Sequence, residues 1–334
     1  MILNRKTPET NKKKLTMNTA VEKLSYSNLE KFVYDNQSTV ILANGLKQLR
    51  YFLLTNKTNL TPEFRTKLWV ILLQIDTNNM TSNYVNDLKQ MKNDTDSLME
   101  TIDDEDENTD IELINWFKKI NLDINRTLKN TSFSKDPKQL ESLKRILYLF
   151  AYKHGYYIQG MNVLLAPILI TCDVEPLCYL IFETLMIEKL SSYFKESLSL
   201  DNIHKGCRLV EIVLKYIDPS LYNKLNKKMK YPLQYVVMPF VMTLSASAEP
   251  IHEVIKIWDY MMAYGCHMNI LFTVAQLVMW RDHIFKLNSE EEIINFMNNL
   301  PKIENGMHVV RLGIGLIDKL DTSVLSEILD HMAN

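Results

Sequence analysis

An all-α fold, built as one multi-helix domain, is what the sequence predicts, and three observations carry that expectation. Only 8 Gly and 10 Pro punctuate 334 residues, and the Asn-Gly pairs at Asn44-Gly45 and Asn305-Gly306 lack the short alternating apolar flanks of a hairpin. Apolar residues recur at helical spacing: Leu113, Phe117, Ile120 and Ile124 form one stripe, and Ile251, Val254, Ile255, Trp258 and Met262 form another. Pro62, Pro137, Pro176, Pro219 and Pro250 each stand just ahead of a periodic segment, where a missing N–H costs a helix least.

Taken in order, residues 1–44 read as an N-terminal tail, partly disordered, whose basic start (Arg5, Lys6, Lys12, Lys13, Lys14) is a solvated charge run. The domain is expected from Gly45 to Leu325, with residues 326–334 as the C-terminal end. Within it, residues 77–110 are polar, Asn-rich and acidic, which predicts a frayed helix followed by a flexible acidic loop through Asp103, Asp104, Glu105, Asp106, Glu107 and Asp110. Leu113 to Ile124 and Ile251 to Met262 read as amphipathic helices. Between Ile270 and Met279 apolar residues occupy nearly every face, the mark of a buried central helix. No internal repeat divides the remainder.

Composition excludes several functions. With 46% hydrophobic residues the chain can bury a sizeable core. Its 38 basic and 40 acidic side chains give a formal charge of -2, without the positive excess that nucleic-acid binding requires. The longest apolar run, Val163 to Cys172, is too short for a membrane span and holds Pro167. Four cysteines without CxxC pairing read as reduced thiols of an intracellular protein. The seven His form no metal-ligand set, and no GxxxxGK[ST] is present, so no cofactor is expected on this chain.

The segment GYYIQGMNVLLAP, Gly155 to Pro167, sets a neutral amide at the head of an apolar helix. Alone, Gln159 reads as a buried amide satisfied by backbone groups. Tyr156 and Tyr157 read as core-edge aromatics. Arg126, three residues after Asp123, reads as a surface ion-pair partner. Together they change weight: INLDINRT fits IxxDxxR with Ile120, Asp123 and Arg126, and YYIQGMN contains YxQG with Tyr157, Gln159 and Gly160, 33 residues further on from Arg126 to Gln159.

These motifs resemble the TBC domain, the all-helical GTPase-activating domain of Rab-type and related small GTPases. FRTKLWVILL, with Arg65 and Trp69, is similar to the family's first motif, and IKIWDYMMAYG, with Trp258 and Asp259, to a later helix. The resemblance implies that Arg126 is an arginine finger and Gln159 a glutamine finger, both supplied in trans to a Ras- or Rab-like small GTPase in its GTP state. GTP and magnesium would belong to that partner. A guanidinium offers permanent charge and planar donors to the phosphoryl oxygens. An amide can accept from the attacking water and donate to the γ-phosphate. By the same resemblance Asp123 and Tyr157 orient the fingers, Ile120 packs the Arg-bearing helix, and Gly160 lets the backbone approach the GTPase. Thr127 takes no role beyond capping or solvent contact.

YYIQGMNVLLAPIL, IDPSLYNKL and VIKIWDYMMAYGCHMNILF resemble one subfamily more closely, the two-component mitotic-exit and septation GTPase activators of fungi. That implies a scaffold subunit and a cytoplasmic location at the spindle pole body. Met238-Pro239-Phe240 departs from the Trp-containing motif of many TBC domains and puts the ordinary Rab-binding surface in question. The competing expectations are a non-catalytic helical GTPase-binding scaffold and a Rab activator of membrane traffic.

Overall fold

The structure, a computed structural model, describes residues 30, 33, 43–55, 60–101, 110–129, 131–194, 200–228, 233–299 and 301–332. Among the described residues every regular element is helical. The first half comprises α1 (Ala43–Thr55), α2 (Pro62–Leu72), α3 (Met80–Thr101), α4 (Asp110–Ile124), α5 (Pro137–His154), α6 (Met161–Thr171), α7 (Glu175–Thr184) and the short α8 (Ser191–Phe194). The second comprises α9 (Asp201–Ile217), α10 (Pro219–Lys228), α11 (Leu233–Met242), α12 (Ile251–Tyr264), α13 (Asn269–Met279), α14 (Arg281–Lys286), α15 (Glu290–Asn298), α16 (Gly306–Ile317) and α17 (Thr322–Asp330).

All five prolines singled out stand at helix starts: Pro62, Pro137 and Pro219 open their helices, Pro176 is the second residue of α7, and Pro250 is the N-cap of α12. Asp136 and Thr61 cap α5 and α2 through their side chains, satisfying amides that a helix end leaves open. Asn305 does the same for α16, so the Asn305-Gly306 pair begins a helix and not a hairpin.

Two packed groups share one core. The first joins α3, α4, α5, α6 and α7; the second joins α9, α11, α12, α13 and α16; α2 touches α6 on one side and α12 on the other. The joint at α2 is polar and buried. Arg65 donates to both oxygens of Asp259 at 2.8 and 3.0 Å, and Trp69 Nε1 donates to the same carboxylate at 2.9 Å. Burial pushes the Asp259 carboxyl up to about 6, with Arg65 pulling against it. The Trp69 and Trp258 rings lie 6.1 Å apart beside this clamp. Helix α13 is buried from Asn269 to Leu277, as the all-round apolar pattern requires.

Two stretches bear on the expected boundaries. Where residues 77–110 were expected as a frayed helix followed by a flexible acidic loop, the structure places the 22-residue helix α3 over Met80–Thr101. Tyr84, Leu88 and Met91 give it a packed stripe, Tyr84 donates to Glu175 at 2.7 Å, and Lys153 of α5 pairs with Asp87 at 2.7 Å. The acidic cluster Asp103 to Glu107 lies outside the described residues, as does most of the 1–44 tail. At the other end α17 runs past Leu325, and His331 is buried with Nε2 2.8 Å from the Tyr193 hydroxyl. Among the described residues no helix is long and apolar enough to cross a membrane.

Candidate functional site

Helix α4 delivers Arg126. Leu113, Ile120 and Ile124 are buried, and each such side chain stabilises the helix by about 1.5–3 kcal/mol. A surface ion pair contributes only a few tenths of that scale, so the apolar stripe fixes the roll of α4. Ile120, expected from the motif to pack the Arg-bearing helix, is fully buried. The helix ends at Ile124 and tightens: the Arg126 amide donates to Asp123 O at 3.1 Å and the Thr127 hydroxyl donates to the same carbonyl at 2.8 Å. Arg126 leaves this turn with its side chain 55% exposed, and Leu122, one turn earlier, is 70% exposed beside it.

Helix α5 and the turn after it deliver Gln159. Gly155 ends α5 in the left-handed region at φ 72°, an irregular stretch carries Tyr156 to Ile158, and Gln159-Gly160 turn into α6. Leu164 and Leu165 anchor α6 in the core, with Val163 half-buried. Gln159 is exposed, and its amide makes no hydrogen bond among the described residues.

The two turns meet at Asp123. Its carboxylate is 3% exposed, forms an ion pair with Arg126 Nη2 through Oδ1, and accepts from the Tyr157 hydroxyl at 2.7 Å through Oδ2. Burial first, then the bond to this carboxylate, raises the Tyr157 hydroxyl well above the ordinary phenol range, so it remains a donor. An exposed Arg-Asp pair would be worth little. Here the acid is buried and clamped by Tyr157 from the loop that carries Gln159, which converts the pair into a mount for the guanidinium. Tyr156 keeps its core-edge reading, with its ring edge-on to Phe150 at 5.3 Å.

Two residues behave differently from expectation. Gly160 is buried, its amide donates to Asn162 Oδ1 at 3.1 Å, and a Cβ there would lie 2.8 Å from the Met242 methyl. Its φ of 108° requires glycine in any case. The glycine thus answers an internal demand, and its backbone is not offered outward. Thr127 is fully buried rather than in solvent contact, and its hydroxyl accepts from Asn162 Nδ2 at 2.8 Å. Asn162 itself was not assigned from sequence; the signal available was a polar residue following Gly160 and Met161 at the head of an apolar helix. Among the described residues no group of three His, Cys, Asp or Glu side chains could hold a metal ion.

An exposed guanidinium and an exposed carboxamide on one hydrogen-bonded frame suit a site completed by another molecule. The Rab-GTPase-TBC family model matches residues 62–285, and the chain belongs to that family of GTPase-activating domains for small GTPases. It is similar to the mitotic check point protein BUB2 of Saccharomyces cerevisiae, 31% identical over 314 residues that cover 88% of this chain and 94% of that one. It is also similar to cell division control protein 16 of Schizosaccharomyces pombe, 31% identical over 215 residues, 64% of this chain and 70% of the relative. In fold it matches the crystal structure of the Ypt/Rab-GAP domain of Gyp1p with a TM-score of 0.66 at 20% identity, covering 86% of this chain and 96% of that one.

Proposed function

We propose that this chain activates a Ras- or Rab-like small GTPase in mitotic control, supplying Arg126 and Gln159 in trans to the GTP-bound partner. The observation that carries the reading is the Arg126–Asp123–Tyr157 relay, which ties the exposed guanidinium to the loop bearing the exposed Gln159. Charge develops on phosphoryl oxygens in the transition state, and a permanently charged planar donor set answers it. The amide orients water, accepting through its carbonyl and donating through its N–H₂. GTP and Mg²⁺ are the partner's. Leu122 gives that partner an apolar contact one turn from the arginine.

The similarity to BUB2 and cell division control protein 16 supports a finer reading. In it the chain is the TBC subunit of a two-component activator, works with a scaffold subunit at the spindle pole body, and restrains mitotic exit or septation.

Single-turnover GTP hydrolysis by a panel of small GTPases, with and without the scaffold subunit, tests the proposal. Arg126→Ala should lower the stimulated rate by about 10³-fold or more, the scale of arginine fingers, while binding to the GTP-bound partner persists. Arg126→Lys should restore little. Retention of most activity by Arg126→Ala would favour a non-catalytic GTPase-binding scaffold instead.

A further inference from the structure

We propose that Asn162 is a positioning residue that locks the arginine-bearing turn to the glutamine-bearing turn, with Thr127 as its anchor, so that both fingers are set as one unit. This rests on the functional reading above, but the strut itself is defined by geometry. Asn162 is 3% exposed and both polar atoms of its amide are hydrogen-bonded. Its Oδ1 accepts from the Gly160 amide at 3.1 Å. Its Nδ2 donates to Thr127 Oγ1 at 2.8 Å and lies 3.4 Å from Asp123 O.

The orientation of the amide follows from its neighbours. A backbone N–H at Gly160 can only donate, so it must face the oxygen. The Thr127 hydroxyl proton is already given to Asp123 O at 2.8 Å, which leaves a lone pair for the Asn162 N–H₂. Leu would leave the buried Gly160 amide and Thr127 oxygen short of partners. Asp would lose the donor and bring a second carboxylate beside buried Asp123. Only a side chain with a donor and an acceptor at this reach satisfies both turns.

Two struts therefore connect the fingers. The Tyr157–Asp123 bond holds the carboxylate that grips Arg126. The Asn162 amide holds the Gly160 backbone next to Gln159 and the Thr127 hydroxyl next to Arg126. Finger positions matter to a fraction of an ångström, and a misplacement of about 1 Å can cost about 100-fold in rate.

The test removes the strut from its far end. Thr127→Val deletes the acceptor while keeping shape, and Thr127→Ser keeps the hydroxyl. Two quantities are measured: hydrogen exchange at the Gly160 amide in the free protein, and single-turnover rate against concentration of GTP-loaded GTPase. Thr127→Val should speed Gly160 exchange and lower the maximal stimulated rate, each by about tenfold or more, with the half-saturating concentration changed less than about twofold. Exchange at Phe272 in α13 should stay at the wild-type rate, and Thr127→Ser should restore both readouts. Asn162→Ala should reproduce the valine variant. Wild-type Gly160 exchange in Thr127→Val would overturn the proposal, as would faster exchange at Phe272 in equal measure. If the wild-type chain stimulates no GTPase, the functional reading fails, while Gly160 exchange still decides whether the strut exists.

Discussion

Tyr157→Phe removes one oxygen atom and leaves the ring in place, which makes it a sharp probe of the Arg126 mount. The hydroxyl lost is a 2.7 Å donor to a carboxylate only 3% exposed. Hydrogen bonds to charged groups contribute about 1.5–3 kcal/mol, and leaving a buried acceptor unpaired incurs its desolvation. Tyr157 is 5% exposed, so water does not replace the hydroxyl without disturbing the packing. The second contact of that hydroxyl, 3.5 Å from Asn162 Oδ1, is at the limit of bonding and adds nothing to the sum. The expected loss in unfolding free energy is about 2 kcal/mol, read from urea unfolding as a lower midpoint with unchanged slope. The stimulated hydrolysis rate should fall as well, because Asp123 loses the partner that fixes its rotamer. In an Asp123→Asn background the same change should cost less, since the two residues form one interaction. A stability change below about 0.5 kcal/mol with a wild-type stimulated rate would refute the mount.

Two further outcomes concern the scaffold around the site. Asp259→Ala should cost about 3–5 kcal/mol in chemical denaturation, because it strands buried Arg65 without a counter-charge and releases the Trp69 N–H; a loss below about 1 kcal/mol would mean that α2 is held to α12 by apolar packing alone. Burial alone would raise the Glu175 carboxyl, but Arg145, Ser142 and Tyr84 outweigh it and hold it at about 2. Its contribution is therefore full above the ordinary carboxylate range and is lost as pH falls towards 2. The shift corresponds to about 3 kcal/mol, reduced to about 1–2 kcal/mol because Arg145 is partly open to solvent. Glu175→Gln should flatten the acid limb of the stability curve, and an unchanged limb would contradict the assignment.

The elements that were legible in the sequence share a local signal. Prolines at positions 62, 137, 176, 219 and 250 marked helix starts because the cost of a missing amide depends only on the first turn. The stripes of α4 and α12 and the all-apolar α13 could be read because their faces are self-evident at period 3.6. Helix α3 was legible as a helix but not in its packing, since Tyr84, Leu88 and Met91 are diluted by Asn and Asp, and its fixed points are Glu175 and Lys153, far along the chain. The site divides the same way. Arg126 and Gln159 were found by motif, and both prove exposed. What joins them was hidden, because Asn162 and Thr127 are 35 residues apart and nothing local declares a bond between them. Arg65 and Asp259, 194 residues apart, belonged to two motifs whose direct contact only the fold reveals.

The central claim is that Gln159 does the work of the GTPase's own catalytic glutamine while Arg126 answers the phosphoryl charge. It is tested most directly by crossing mutants of both proteins in single-turnover hydrolysis. A target GTPase whose glutamine is replaced by Leu should keep much of its stimulated rate with the wild-type chain. Gln159→Ala acting on the wild-type GTPase should lose about 10²-fold or more, on the scale of removing one preorganised donor. Arg126→Ala and Gln159→Ala together should lose less than the product of the single losses, since both groups act on one transition state. A glutamine-substituted GTPase that resists activation completely, with Gln159→Ala nearly as active as wild type, would contradict the account.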